Sequence, residues 1–188
     1  MAAVFDVVAI VGSLRRESFT RRLVRAFPDL APASMNIEII EIRDLPHYDQ
    51  DAEASPPVPW TAFRGRVKRA DAVLFATPEY NRSVPGVLKN AIDVGSRPYG
   101  SSAWAGKPAA IVSVSPGVMG AFGANHHLRQ SLVFLDMPTL QQPEAYIGHA
   151  DKLFDEAGEF QNPSTREFCR KFLAAFAAWI ERQKRPAA

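Results

Sequence analysis

Along this chain nearly continuous apolar runs alternate with segments whose apolar positions recur at a period near 3.6. Val4 to Val11 is β-branched and almost continuously apolar, broken only by Asp6, as in a strand buried on both faces of a parallel sheet. Gly12 ends it. From about Ser18 the spacing changes: Phe19, Leu23 and Phe27 recur every fourth residue while Arg21, Arg22 and Arg25 fall elsewhere on the turn, which predicts an amphipathic helix. The same alternation predicts strands at Asn36–Ile42, Ala72–Ala76, Pro108–Val114 and, briefly, near Thr139. Helices are expected around Trp60–Ala70, Pro85–Val94 and Asn125–Leu135, with Pro85 suited to a first turn. A final helix starts at about Ser164, where Ser164-Thr165-Arg166-Glu167 offers a capping box.

Five strand–helix alternations joined by right-handed crossovers specify an α/β fold: a doubly wound five-stranded parallel sheet, order 2-1-3-4-5, with helices on both faces. The 188 residues suit a single domain spanning 1–188. Two connections are long, Arg43–Pro59 and Gly95–Lys107, and loops of that length tend to be functional or mobile.

Composition narrows the function classes. A chain that is 47% hydrophobic and 22% charged, with a formal charge of only +2, is not a nucleic-acid binder driven by bulk charge. Cys169 is the one cysteine, so neither an internal disulfide nor a CxxC site is available, and a reducing, cytoplasmic setting is expected. The start, Met1-Ala2-Ala3-Val4-Phe5-Asp6, lacks a basic region, and the longest apolar stretch, Phe172 to Ile180, is only nine residues long. No membrane insertion is expected. Phe168, Phe172, Phe176 and Trp179 form a helical stripe that should pack the last helix on the sheet.

In an open parallel sheet, ligands bind beyond the carboxyl ends of the strands at the point where strand order reverses. Here those ends lead into Gly12-Ser13-Leu14-Arg15-Arg16-Glu17-Ser18-Phe19-Thr20, Thr77-Pro78-Glu79-Tyr80-Asn81-Arg82-Ser83 and Ser115-Pro116-Gly117. The first loop places Ser13, Arg15, Ser18 and Thr20 at the amino end of a helix, which suits a phosphate. It has neither GxxxxGK[ST] nor GxGxxG, so one terminal phosphate fits better than a di- or triphosphate. A helix cap explains Ser18 equally well. In the second loop Pro78 and Pro85 bracket a rigid turn whose backbone could meet the edge of a heterocycle, with Tyr80 supplying an aromatic face. As an isolated tripeptide, Ser115-Pro116-Gly117 reads as a simple turn. His126 and His127 are adjacent and point apart on a helix, and His47 and His149 lack ligand spacing, so no metal is expected.

Taken together, Gly12-Ser13-Leu14-Arg15-x-x-Ser18-Phe19, the seventeen-residue segment Thr77 to Asp93 and Ser115-Pro116-Gly117 resemble the NADPH-dependent FMN reductase family, most closely its bacterial chromate and quinone reductases. Ser96-Arg97-Pro98, Trp104-Ala105-Gly106-Lys107-Pro108, His127-Leu128-Arg129-Gln130 and Gln142-Pro143-Glu144 extend the resemblance over nearly the whole chain. Two departures stand out: Thr20 where relatives commonly carry Asn, and His126 where they often carry Tyr.

The resemblance implies a flavodoxin-like fold that binds FMN noncovalently. Ser13, Leu14, Arg15, Ser18, Phe19 and Thr20 would surround the phosphate, while Pro78, Glu79, Tyr80 and Asn81, with Ser115, Pro116 and Gly117, would border the isoalloxazine ring. It also implies an NAD(P)H oxidoreductase with ping-pong kinetics and no protein acid or base. Small-molecule acceptors are implied: quinones, and also chromate, azo compounds or free flavin. Arg15, Arg16 and Arg82 favour NADPH over NADH as donor. Relatives form dimers or tetramers with flavins near the interface, so the two long loops would cover a neighbour's flavin. The helices from Pro85 and through Leu128, Leu132 and Leu135 carry more apolar residues than one buried stripe needs, which also suggests a subunit contact. Two other readings stay open, a flavodoxin-type electron carrier and a non-catalytic flavin-binding protein. The near-neutral charge and the absence of a Thr-rich phosphate loop weigh against the carrier.

Overall fold

The computed structural model describes residues 4–184; Met1 to Ala3, at the start of the segment read above as carrying no targeting signal, lie outside the described residues. Five parallel strands form one sheet: β1 (Phe5–Val11), β2 (Met35–Ile40), β3 (Ala72–Thr77), β4 (Ala109–Val114) and β5 (Ala145–Ile147), in the order β2-β1-β3-β4-β5. The order is the one that the alternation of periods predicts. The helices are α1 (Phe19–Arg25), α2 (Val58–Arg69), α3 (Gly86–Gly95), α4 (Phe122–Phe134) and α5 (Pro163–Lys184).

Because successive strand residues point to opposite faces, each strand feeds two cores. Val7, Ala9 and Val11 of β1, with Leu74 and Ala76 of β3, pack against Leu23 and Val24 of α1 and Phe172, Leu173 and Phe176 of α5. Val8 and Ile10, with Val73 and Phe75, face Trp60 and Phe63 of α2, Leu88 and Ile92 of α3 and Leu128 and Leu132 of α4. Each such fully buried side chain contributes about 1.5–3 kcal/mol, which explains the runs of apolar residues without polar interruption.

Asp6, the one polar residue in the β1 run, lies at its entrance, where it is paired. Arg66 of α2 reaches it with two hydrogen bonds of 2.8 and 3.0 Å and also donates to Glu38 of β2, while the Asp6 N–H donates to Asp71. One guanidinium therefore ties α2 to two neighbouring strands at the amino edge of the sheet, the end opposite the expected site.

Three sequence expectations need correction. The fifth strand is not near Thr139: that residue makes a single bridge to Ala109, and the regular pairing with β4 comes later, at Ala145–Ile147. The chain touches β4 first at its amino end, and Pro143, which lacks an N–H, separates that bridge from the ladder. The capping box at Ser164 does not form. Asn162 caps α5 instead, accepting from the Ser164 N–H at 2.9 Å and from its hydroxyl at 2.7 Å. The apolar surplus on α3 and α4 is largely core, because Leu128 and Leu132 are fully buried; the exposed apolar residues at the end of α4 are Val133 and Phe134.

Cys169 lies in the α5 core beside the expected aromatic stripe, of which Phe172 and Phe176 are buried and Phe168 and Trp179 partly so. Burial pushes its thiol up to about 12. The fold thus favours the protonated thiol; that contribution is complete below the ordinary thiol value of about 8.5 and fades as pH rises toward the folded value. Cys169 should stay unreactive toward a thiol-specific disulfide reagent at mild pH and titrate at once in denaturant. Fast reaction of the native protein would contradict this packing. Among the described residues no helix is long and apolar enough to cross a membrane.

Candidate functional site

The carboxyl ends of β1, β3 and β4 open into one cleft of about 270 Å³. Its lining brings together Ser13, Arg15, Ser18, Phe19 and Thr20 from the first loop, Pro78, Glu79 and Tyr80 from the second, and Ser115 and Pro116 from the third. Three candidates stand apart from that lining. The Leu14 side chain packs toward the α2–α4 core, while its carbonyl accepts a hydrogen bond from Arg43. Asn81 occupies the turn beyond Tyr80, and Gly117 accepts from the Ser115 hydroxyl at 3.1 Å.

The first loop is built of unspent donors. Ser18 is the N-cap of α1, accepting from the Arg21 N–H at 3.1 Å. From Ser13 to Thr20, however, no backbone N–H finds a protein acceptor among the described residues. The Ser13 and Thr20 hydroxyls are also unpaired there, although these residues are only 5% and 2% exposed. Arg15 stacks over Phe19 at 5.4 Å and has no carboxylate partner among the described residues, so its charge is available to the cleft. Backbone and hydroxyl donors gathered without protein acceptors at the amino end of a helix suit an anion, and a phosphate fits such a set. Gly12 lets the loop leave β1 close to its neighbours: a Cβ there would come within 3.0 Å of Leu88 and 3.4 Å of Pro78.

Arg43 is a residue that sequence reading missed. It follows β2 at the start of the long Arg43–Pro59 connection, and its bond to the Leu14 carbonyl braces the first loop from outside. Farther along, this connection is fastened down. The Tyr48 N–H donates to Asn90 of α3 at 2.8 Å, and the Tyr48 ring stacks on Trp60.

The second loop is a two-residue hairpin in which Tyr80 and Ser83 exchange backbone hydrogen bonds of 3.1 and 3.0 Å. Asn81 and Arg82 at its tip both have left-handed backbone, with φ of 52° and 63°. Two side chains from this loop reach α4: Glu79 accepts from the Ala124 N–H at 2.9 Å, and the Ser83 hydroxyl lies 2.7 Å from His127 Nδ1. Tyr80 is left 54% exposed at the cleft.

The third loop turns back under β5. The Ser115 N–H donates to Ile147, while the N–H groups of Gly117, Val118 and Met119 have no protein acceptor among the described residues. Gly120, at φ +57°, lies so near β5 that a Cβ would come within 2.7 Å of the Tyr146 carbonyl carbon, so glycine is required on both counts. Val118, Met119 and Phe122 remain exposed beside the cleft. Farther out, His126 bonds the Tyr146 hydroxyl at 2.8 Å; burial, together with Glu144, pushes that phenol up to about 12.

A wider groove of about 710 Å³ runs between α3, α4 and the Gly95–Lys107 connection, and Phe134 and Tyr99 line it. Its exposed apolar rim suits a protein contact better than a phosphorylated ligand.

A family model described as NADPH-dependent FMN reductase matches residues 5–152, a span that includes all three loops. A quinone reductase from Pseudomonas putida is 60% identical over 182 residues, covering 96% of this chain and 97% of its own length. A 2-hydroxy-1,4-benzoquinone reductase from a Burkholderia species is 42% identical over 93% of this chain and 95% of its own. Among solved structures, the flavoenzyme NAD(P)H:(acceptor) oxidoreductase FerB from Paracoccus denitrificans superposes with a TM-score of 0.89 at 41% identity, covering 96% of this chain and 99% of that one. With its sheet order, a family model that matches residues 5–152 and these full-length relatives, the chain belongs to the NADPH-dependent FMN reductase family.

Proposed function

We propose that this protein is an FMN-dependent NAD(P)H:quinone oxidoreductase whose flavin occupies the cleft at the ends of β1, β3 and β4. The observation that carries the reading is the unbroken run of unsatisfied N–H donors from Ser13 to Thr20, beside an Arg15 guanidinium with no carboxylate partner. Ser13, Ser18 and Thr20 hold the phosphate with their hydroxyls and backbone, and Arg15 neutralises its charge. Leu14 and Phe19 shape the loop, the one by packing inward and the other by carrying Arg15. Pro78 to Asn81 and Ser115 to Gly117 would border the ring, and the N–H groups of Gly117, Val118 and Met119, which have no protein acceptor among the described residues, would be available to negative charge on the reduced ring. When bound, FMN would supply the redox chemistry that links NAD(P)H to the acceptor, in a ping-pong scheme, and the residues named above would hold it.

The protein supplies no acid or base in this reading. Its contribution to acceptor choice is the exposed Tyr80 ring at the cleft, with exposed Val118 and Met119 following Gly117 in the third loop, which suits planar quinones and leaves chromate, azo compounds and free flavin as further acceptors. Arg15, Arg16 and Arg82 favour NADPH through its 2′-phosphate. The chain acts as a homodimer or homotetramer: Phe134 and Val133, 87% and 77% exposed, stand beside the groove on α3 and α4, and a knob next to a hole on one face is what a twofold contact requires. The lone buried cysteine fits a cytoplasmic enzyme of one domain.

Purified protein should be yellow or take up FMN, be bleached by NADPH under anaerobic conditions, and recover its colour on addition of a benzoquinone. Failure to bind FMN would remove the reading. A yellow protein that NADPH cannot bleach would leave a carrier or a flavin-binding protein instead.

A further inference from the structure

We infer that His127 is a positioning residue for the flavin-bordering turn: through Ser83 it holds the left-handed Asn81–Arg82 pair, and thereby Tyr80, in the geometry the cleft needs. The inference rests on the flavin reading above and concerns how this chain sustains it. Tyr80 lines the cleft and His127 does not, so any effect of His127 on the cleft passes through the hairpin.

The hairpin needs outside support. Two-residue turns with positive φ at both central positions favour Asn-Gly or Asp-Gly, and here the second place holds Arg82. Backbone in that region is strained for a side chain with a Cβ and persists where its surroundings over-determine it. The surroundings here are one face of α4, where residues three and four apart are neighbours. Ala124 donates to Glu79 on the near side of the turn at 2.9 Å, and His127 meets Ser83 on the far side at 2.7 Å. The two grips bracket Tyr80, Asn81 and Arg82. Just before Ala124 the helix backbone comes close to the loop: a Cβ on Gly123 would lie 2.9 Å from Glu79 Oε2 and 3.1 Å from the Arg82 carbonyl oxygen.

The chemistry of the second grip is specific. With its proton on Nε2, His127 accepts from the Ser83 hydroxyl at Nδ1, the ring nitrogen nearer the backbone. Asparagine can place a polar atom near that position, whereas glutamine reaches toward the position of Nε2. His127→Asn should therefore preserve the grip that His127→Ala and His127→Gln lose. Among the described residues His127 bonds Ser83 and pairs with no carboxylate, so its contribution is positional.

The test compares wild type, Ser83→Ala, His127→Ala, the double variant, His127→Asn and His127→Gln, each as full chain with FMN. The readouts are FMN dissociation constant, visible circular dichroism of the bound flavin, and thermal midpoint of the flavin-free protein. Ser83→Ala and His127→Ala should each weaken FMN about three- to tenfold and alter the flavin dichroism, with little change in the apo midpoint. The double variant should be no worse than the singles, because both remove one bond. His127→Asn should restore affinity and spectrum. Equal affinity and spectra in wild type and His127→Ala would overturn the inference, as would additive losses or an equal rescue by glutamine. A wild-type protein that takes up no FMN would overturn the flavin reading and this one with it, whereas bound FMN indifferent to position 127 overturns this one alone.

Discussion

Trp104→Ala should cost about 3–5 kcal/mol of stability, the range for truncating a large buried aromatic. Trp104 is fully buried although it belongs to a connection between α3 and β4. Its ring meets Phe63 of α2 edge-on at 5.9 Å and Phe75 of β3 at 5.7 Å, and its indole N–H donates to the Ile92 carbonyl at 2.8 Å. Truncation leaves a void in the α2–α4 core and removes one of the two hydrogen bonds that the Ile92 carbonyl accepts, the other coming from the Ser96 N–H at 3.0 Å. At roughly 2–4 °C per kcal/mol for a chain of this size, the melting temperature should fall by about 6–20 °C in a thermal scan. Gly95 tests the same contact from the other side, since a Cβ there would stand 2.3 Å from the Trp104 ring. Gly95→Ala should therefore destabilise the wild-type protein and cost much less in the Trp104→Ala background, a coupling that a double-mutant cycle measures. A loss below about 1 kcal/mol for Trp104→Ala would mean that the loop is not anchored as described.

The second large effect falls on cofactor affinity. Arg15→Ala should weaken FMN binding by roughly ten- to a hundredfold, the value of one charge-assisted hydrogen bond to a phosphate at about 1.5–3 kcal/mol. Arg15 lines the cleft, its guanidinium rests on Phe19, and no carboxylate competes for it. Arg15→Lys should recover part of the loss, since a point charge remains while the planar fork is gone. Riboflavin, which has no phosphate, is the control: its weaker binding should be nearly indifferent to Arg15→Ala. Fluorescence-quenching titrations with both ligands decide it, and an FMN dissociation constant unchanged by the substitution would remove Arg15 from the phosphate site.

Both predictions concern segments that hydrophobic periodicity treats very differently. The Gly12–Thr20 loop is legible as a candidate site because hydroxyls and an arginine gathered between a buried strand and an amphipathic helix suit an anion, and the fold brings them to one cleft at the sheet's carboxyl edge. The Gly95–Lys107 loop is not legible as core. Its length suggests mobility, and nothing in local spacing says that Trp104 inserts between Phe63 and Phe75. The Arg43–Pro59 connection carries the same lesson, since Asn90, far along the chain, holds Tyr48.

By itself the sequence determined the identity of most elements, the parallel sheet of order 2-1-3-4-5 and the three loops that meet at its carboxyl edge. It could do so because two periodicities and right-handed crossovers leave few topologies open. Only the tertiary structure decided the rest. It moved the last strand to Ala145–Ile147, gave the α5 cap to Asn162, took Leu128 and Leu132 into the core, and matched Asp6 to Arg66. It also set α4 against the Asn81–Arg82 turn through Ala124 and His127. These outcomes depend on contacts between groups distant along the chain, or on competition between nearby caps. Such contacts leave no periodic trace, because a hydrogen bond across the fold constrains two side chains in space without constraining the residues between them.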